Sequence, residues 1–346
     1  MSHRERLEIA LVAVLVAVSA ACHFAGLNEV LTFAVTAVTL AGLARLVGTA
    51  TEQLGAQLGS GGASVVQSAL GNLPELFIAL FALHRGLFNV VQAALVGSIL
   101  ANSVLVLGLA FIVGGLKNGV QTFDSNRARL VSTLTVLAAA TLAMPSLAHA
   151  FHTPAEGHSQ ALSLICAGVL LALFLLTLPS FLRSAPGEEH APARWSRALT
   201  GVVLLCAGIG AALTSDWFVS ALTPAIHTLH MSEEFAGLVI VAIAGNAVEN
   251  VVGVQLAARN RADFAISVIV NSSLQVALAL TPVLVFASLL FATHLTLVFP
   301  TLLALVLLIS SILGALVVND GESNWQEGAV LVGFYVVIAA SFWWGT

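Results

Sequence analysis

Gly71-Asn72-Leu73-Pro74-Glu75 lies inside an otherwise apolar stretch of the chain. A near copy, Gly245-Asn246-Ala247-Val248-Glu249, follows 174 positions later. A carboxylate in the middle of a membrane helix is costly, and residues of this kind mark ion pathways and binding sites. Two of them, each introduced by Gly-Asn, predict a single site built from two halves of the chain. The expectation is a translocated cation held between Glu75 and Glu249.

Composition sets the solvent. Of 346 residues, 59% are hydrophobic and 8% charged, and the mean hydropathy is +1.01. Soluble domains carry about 25% charged residues. The chain therefore reads as an all-α polytopic membrane protein. Its 12 Lys and Arg against 17 Asp and Glu leave no basic patch for nucleic acid. Cys22, Cys166 and Cys206 lie far apart in apolar segments and read as small core residues. The N-terminus (Arg4, Arg6, an apolar run, then Ser19-Ala20-Ala21-Cys22) has the outline of a signal peptide. More spans follow it, so it reads as the first membrane helix.

Spanning helices need about 20 apolar residues. Eleven such runs are expected, at 7–26, 29–58, 60–84, 87–116, 127–150, 159–183, 196–222, 233–258, 262–290, 293–318 and 324–345. With the N-terminus cytoplasmic, Arg4, Arg6, Lys117, Arg127, Arg129, Arg183, Arg194, Arg197, Arg259 and Arg261 fall inside. Only Arg85 falls outside, and Arg45 lies near the inner half of the second span. That satisfies the positive-inside rule and puts the C-terminus outside; for a bacterial chain the membrane is the plasma (inner) membrane.

Shifting the sequence by 174 also superposes Arg85 on Arg259 and Ser98 on Ser272. The expected organisation is an N-terminal helix (1–27), a five-helix repeat (28–184), a cytoplasmic linker (185–195) and a second repeat (196–346). Five is odd, so the copies cross the membrane in opposite senses, as in transporters with a midplane site.

Around Glu75, Pro74 and Gly71 loosen the helix and free backbone carbonyls. These, the Asn72 amide and the carboxylate make a hard-oxygen set suited to Ca²⁺; a proline kink beside a buried acid is the plainer alternative. Asn246 and Glu249 share a helix face, with Asn250 next to them. The following helix of each half offers Ser98 and Asn102, then Asn271, Ser272, Ser273 and Gln275. Ion ligation and interhelical packing are equally open for these; for Gln67 the two readings are lining an access path and packing. Glu52, Asp216, Glu233 and Glu234 read as solvated ends. Eight histidines map to the outer side as loop residues, with an external proton sensor as the alternative. Asn324 and Glu327 predict a capping box for the last helix.

The chain resembles the calcium/proton exchangers of the Ca²⁺/cation antiporter superfamily. Gly71-Asn72-x-x-Glu75 with Gly97-Ser98-Ile99-Leu100-Ala101-Asn102 is similar to the family's first signature. Gly245-Asn246-Ala247-x-Glu249 with Ser272-Ser273-Leu274-Gln275 is similar to its second, and 320–328 to its C-terminal one. The resemblance implies eleven helices, Glu75 and Glu249 as Ca²⁺ and proton carriers, alternating access, and no resident cofactor. Departures from the pattern are Asn250 for the usual His, Asn271 for Gly, and Gln67 and Ala69 before the first motif. The expected function is exchange of cytoplasmic Ca²⁺ for external H⁺. Alternatives are an Na⁺-coupled divalent-cation exchanger and a cation channel, and a homo-oligomer is open. An intramembrane enzyme lacks its motifs here: there is no paired-Asp motif and no His-Glu-x-x-His.

Overall fold

The computed structural model describes residues 1–58, 70–182 and 193–344. Among these, α1 is His3–Phe24, α2 Glu29–Leu58, α3 Leu73–His84, α4 Phe88–Asn118, α5 Ser125–Ala150 and α6 Ser159–Leu182. After these come α7 Arg197–Leu229, α8 Glu233–Gly245, α9 Ala247–Ala258, α10 Ala262–Leu290, α11 Thr301–Val317 and α12 Trp325–Trp343. A two-residue strand β1 (Gln121–Thr122) pairs antiparallel with β2 (Glu322–Ser323). Eight of the expected segments are single helices long and apolar enough to cross a bilayer. This is a multi-pass integral membrane protein.

Three expected segments differ. The third is helical from Leu73, and Gln67 and most of the linker lie outside the described residues. The eighth is broken, with α8 and the helix after it bent by 63°. The tenth does not start at 293, because 291–300 is non-helical and α11 begins at Thr301 behind Pro300. Pro disfavours helix in the residue before it. Non-helical backbone survives at membrane depth only where protein satisfies it. Here Gln92 Nε2 donates to the carbonyls of Thr296 and Val298 at 2.8 and 3.1 Å. Ser288, Ser163 and Ser146 accept from the amides of Leu295, Leu297 and Phe299. Those three apolar side chains are buried.

The chain divides into two compact units. The first holds Met1–Ala82, Phe174–His230 and Ala244–Val248. In it α2 runs along α7, with Phe33 stacked on Phe218 at 5.0 Å and Val12, Leu43 and Ala211 in one cluster. Ser19 and Thr39 hydroxyls bond at 2.7 Å across α1 and α2. Trp195, just before α7, is locked in place by three side chains: its indole donates to Glu5, its amide to Gln53, and Gln57 donates to its carbonyl. α7 runs beyond the expected 222 to Leu229. Asp216 is consequently half-buried within a long helix, next to fully buried Thr214 and Ser215, and is not a solvated end. Glu52 is exposed near the end of α2, as expected.

The second unit holds Leu83–Leu173, Met231–Ile243 and Glu249–Thr346. α4 is its most buried span. α4 and α8 touch backbone to backbone: a Cβ on Gly97 would lie 2.6 Å from Leu238 Cα, and one on Gly237 would lie 2.8 Å from Ala93 Cβ. Glycine at both positions is what permits this approach. α4 and α10 each contain a π-helical turn, at Ala101–Val106 and Val276–Leu280. The second is 102–106 displaced by the same 174 positions that relate the motifs. The α12 capping box forms as expected: Asn324 Oδ1 accepts from the Glu327 amide at 2.9 Å, and the Glu327 carboxylate accepts from the Asn324 amide. All three cysteines are free, with Cys22 and Cys166 buried and Cys206 exposed.

Candidate ion site

Both motifs are helix breaks. Gly71 and Asn72 form a turn and α3 starts at Leu73. α8 ends at Gly245, Asn246 forms the turn, and α9 starts at Ala247. Proline is not the cause, since the second motif breaks in the same way without one. Pro74 occupies the second position of α3, where its missing N–H costs nothing. Gly-Asn does the work: glycine frees the backbone and asparagine bonds locally in place of the helix. Each glutamate then becomes the third residue of a new half-helix. The unsatisfied N–H groups and partial positive charge of a helix start surround a carboxylate at both places.

Within the first unit the two motifs meet. Glu75 is 4% exposed, and its Oε1 accepts from Asn246 Nδ2 at 3.2 Å. A Cβ on Gly245 would sit 3.3 Å from Glu75 Cβ and Cγ. The glycine and the asparagine of the second motif thus seat the carboxylate of the first. The Asn72 carbonyl accepts from the Leu76 amide at 2.9 Å, closing the first turn below Glu75.

Within the second unit, consecutive helices α9 and α10 pack at Gly253 against Ile269, where a Cβ would lie 2.7 Å from Ile269 Cγ1. One turn back along α9 are Glu249 and Asn250. One turn on along α10 are Ser272 and Ser273. Asn102 Nδ2 donates to Ser272 Oγ at 3.0 Å, so Glu249, Asn250, Ser272 and Asn102 stand at one level. Glu249 is partly exposed. The Asn250 and Asn271 amide oxygens are buried without a hydrogen-bond partner among the described residues. Ser98 is fully buried one turn before Asn102, and Gln275 is the last α-helical residue before the π turn. Ser273 faces away from this group, donating to the Ile99 carbonyl at 3.4 Å. The π turns were not anticipated. The sequence carries no mark of them: Asn102 and Ser103 lie inside the first, and Ser272, Ser273 and Gln275 precede the second.

Paired half-helix breaks, each carrying a carboxylate, in a multi-pass helical protein, define the class of ion transporters. The chain belongs to the sodium/calcium exchanger protein family, whose model matches it twice, at 28–183 and 199–344, and within it to the CAX-type calcium/proton exchangers. It is 36% identical over 324 residues to the Ca²⁺/H⁺ antiporter ChaA of Bacillus subtilis, covering 90% of this chain and 91% of that one. A Ca²⁺/H⁺ antiporter of Synechocystis is 31% identical over 351 residues, with 94% of each covered. Among solved structures, the Ca²⁺/H⁺ antiporter protein YfkE superposes with a TM-score of 0.84 at 32% identity, covering 98% of this chain and 99% of that one.

Proposed function

We propose that the protein is a secondary active antiporter that exchanges cytoplasmic Ca²⁺ for external H⁺ at a site carried by Glu75 and Glu249. The observation that carries this reading is the pair of Gly-Asn breaks, with Glu75 seated by Asn246 of the opposite motif. Asn72, Asn246, Ser98, Asn102, Asn250, Ser272 and Gln275 supply neutral oxygens around the two carboxylates, and Ser273 backs them. Two ionised carboxylates balance one Ca²⁺; two protons convert them to neutral acids and release it. Alternating access then carries the loaded site from one face to the other. The names of these two relatives, each matched over at least 90% of this chain, agree with Ca²⁺ and H⁺ as the exchanged ions. The doubled family match agrees with two repeats, 28–184 and 196–346, joined at 185–195 and preceded by helix 1–27. In this arrangement eleven helices cross the membrane, with the N-terminus cytoplasmic.

The direct test uses purified protein in liposomes. An inside-acid gradient should drive ⁴⁵Ca²⁺ uptake, reversal of the gradient should reverse the flux, and an equal Na⁺ gradient should not substitute. Uptake driven by Na⁺ alone would move the protein to the sodium-coupled reading. Flux that follows only the Ca²⁺ gradient, whatever the pH, would make it a channel.

Asn250 adds a finer expectation. Asn250→His places a group that titrates near ~6.5 at the level of Glu249. Below that pH the imidazolium repels Ca²⁺, so KM for Ca²⁺ should rise more steeply on acidification than in the parent. Above about pH 8 the two should coincide. Parallel profiles across pH 5.5–8.5 would mean that position 250 does not face the ion.

A further inference from the structure

Every fourth residue in the first half of α10 is polar: Asp263, Ser267, Asn271 and Gln275. Residues four apart on a helix lie one above the other on the same face, so these four form a row. The row coincides with the accessible side of the helix. Asp263 is exposed and the other three are half-buried, and from Ile269 to Leu278 every residue except Asn271 and Gln275 is buried. Asp263 Oδ1 accepts from the Asp124 amide at 2.6 Å, which holds its carboxylate at the end of the row.

The other half of the chain treats the same positions differently. Counting back 174 positions gives Asn89, Ala93, Gly97 and Ala101 of α4. The last three are buried, and α8 lies directly on them: a Cβ on Gly237 would be 2.8 Å from Ala93 Cβ, and one on Gly97 2.6 Å from Leu238 Cα. Of the two equivalent rows, one is small, apolar and sealed, and the other is polar and open.

Asn271 stands out within the open row. An amide in a membrane helix usually serves as glue, bonding to a neighbouring helix. Asn271 does not do so among the described residues. Its Nδ2 donates to Ser267 Oγ at 3.2 Å, one turn back on its own helix. The planar amide thereby turns Oδ1 away from Ser267, and this oxygen is buried without a hydrogen-bond donor. A buried acceptor with no donor costs free energy, and since it is buried it does not face lipid. The next residue, Ser272, accepts from Asn102 at the level of Glu249. Amide oxygens are ligands that Ca²⁺ takes readily. Glycine, the residue of the resembled pattern at 271, has no such oxygen.

We infer that Asn271 sets the affinity of this chain for entering Ca²⁺: its amide oxygen receives the ion along the row that starts at Asp263 and passes it to Ser272 and Glu249. The Ca²⁺ step rests on the function proposed above, whereas the openness of the row does not.

The test uses the full-length protein in two arms. For access, Cys22, Cys166 and Cys206 are replaced by alanine, and single cysteines are placed at Ser267, at Asn271 and at Val337, which is exposed on the apolar α12. A membrane-impermeant cationic methanethiosulfonate is added to inside-out vesicles. Ser267→Cys and Asn271→Cys should react, with Ca²⁺ slowing the reaction at 271, and the lipid-facing Val337→Cys should not. No reaction at 271 overturns the inference. For transport in liposomes, Asn271→Ala should raise KM for Ca²⁺ about tenfold, the worth of one contact to a charged group, with kcat little changed. Asn271→Asp keeps an acceptor oxygen but not the amide that bonds Ser267, and its KM should not exceed the parent's. A parental KM in Asn271→Ala, or one raised equally in Asn271→Asp, overturns the inference and leaves Asn271 a structural residue. If Asn271→Ala does not keep the parent's thermal midpoint, Asn271→Leu, similar in shape and without the oxygen, takes its place with the same expectation. A parent without proton-driven Ca²⁺ flux overturns the proposed function and the Ca²⁺ step with it, while reaction at 267 and 271 would still show the row to be open.

Discussion

Glu75→Gln is expected to abolish Ca²⁺/H⁺ exchange while leaving a folded protein, and Glu249→Gln to do the same. The geometry explains why the fold should survive. Asn246 donates to Glu75 Oε1, and a glutamine at position 75 offers the same acceptor oxygen in the same shape. What is lost is the charge that holds the cation and the oxygen that takes up a proton. Removing one partner of a buried, hydrogen-bonded charge pair costs ~2–5 kcal/mol, or more than about 30-fold in Ca²⁺ affinity. Coupling fails altogether, because an amide does not titrate. Proton-driven ⁴⁵Ca²⁺ flux and the thermal midpoint, measured on the same preparations, separate loss of function from loss of fold. Parental flux in either variant would sink the paired-carboxylate mechanism. Lost flux with a collapsed midpoint would instead make that glutamate structural.

Much of this architecture is legible because a bilayer leaves a chain few options. Backbone groups in hydrocarbon must bond internally, so a long apolar run becomes a helix, and eight segments are helices of full length. Both Gly-Asn-x-x-Glu motifs stand out in the sequence, since a glutamate in an apolar run is costly, but the sequence predicts a loosened helix only at the first, and the break at the second was not expected. The misreadings have one physical root. In membrane segments hydropathy reports the environment, not the backbone conformation. Segment 291–300 is apolar enough to join the helix that follows, and only Pro300 hints that it is not helical. What makes it possible is distant in sequence: the side chains of Gln92, Ser146 and Ser163. Pro74 attracts a kink by its chemistry, yet the break at Asn246 forms without one. Asp216 looks terminal only if α7 stops at 222; the extra turns to Leu229 carry it inward. The π turns have no compositional mark, because one extra residue per turn changes neither hydropathy nor charge.

Gly97→Ala and Gly237→Ala should each cost the protein its stable fold, the largest structural effect expected of so small a change. On helix propensity alone the sign would be opposite, since alanine is favoured over glycine by about 1 kcal/mol within a helix. Contact geometry overrides it. A methyl at Gly97 would lie 2.6 Å from Leu238 Cα and 2.7 Å from its carbonyl carbon, and one at Gly237 would lie 3.0 Å from the Ala94 amide nitrogen. These are backbone atoms, so no rotamer change relieves them. α4 and α8 must separate. Overpacking a core costs ~1–3 kcal/mol where side chains can yield, and a backbone clash belongs at or beyond the top of that range. Separation would also move α8, which ends at the second Gly-Asn break, away from α4, which carries Ser98 and Asn102. Gly208→Ala serves as the control: its added methyl meets nothing within 4 Å, and the midpoint should hold or rise. Fluorescence-detected size exclusion and thermal midpoints in detergent suffice for the comparison. A Gly97→Ala protein that melts with the parent would show that α4 and α8 do not touch at this point, and the level shared by Asn102, Ser272 and Glu249 would have to be set by α9 and α10 alone.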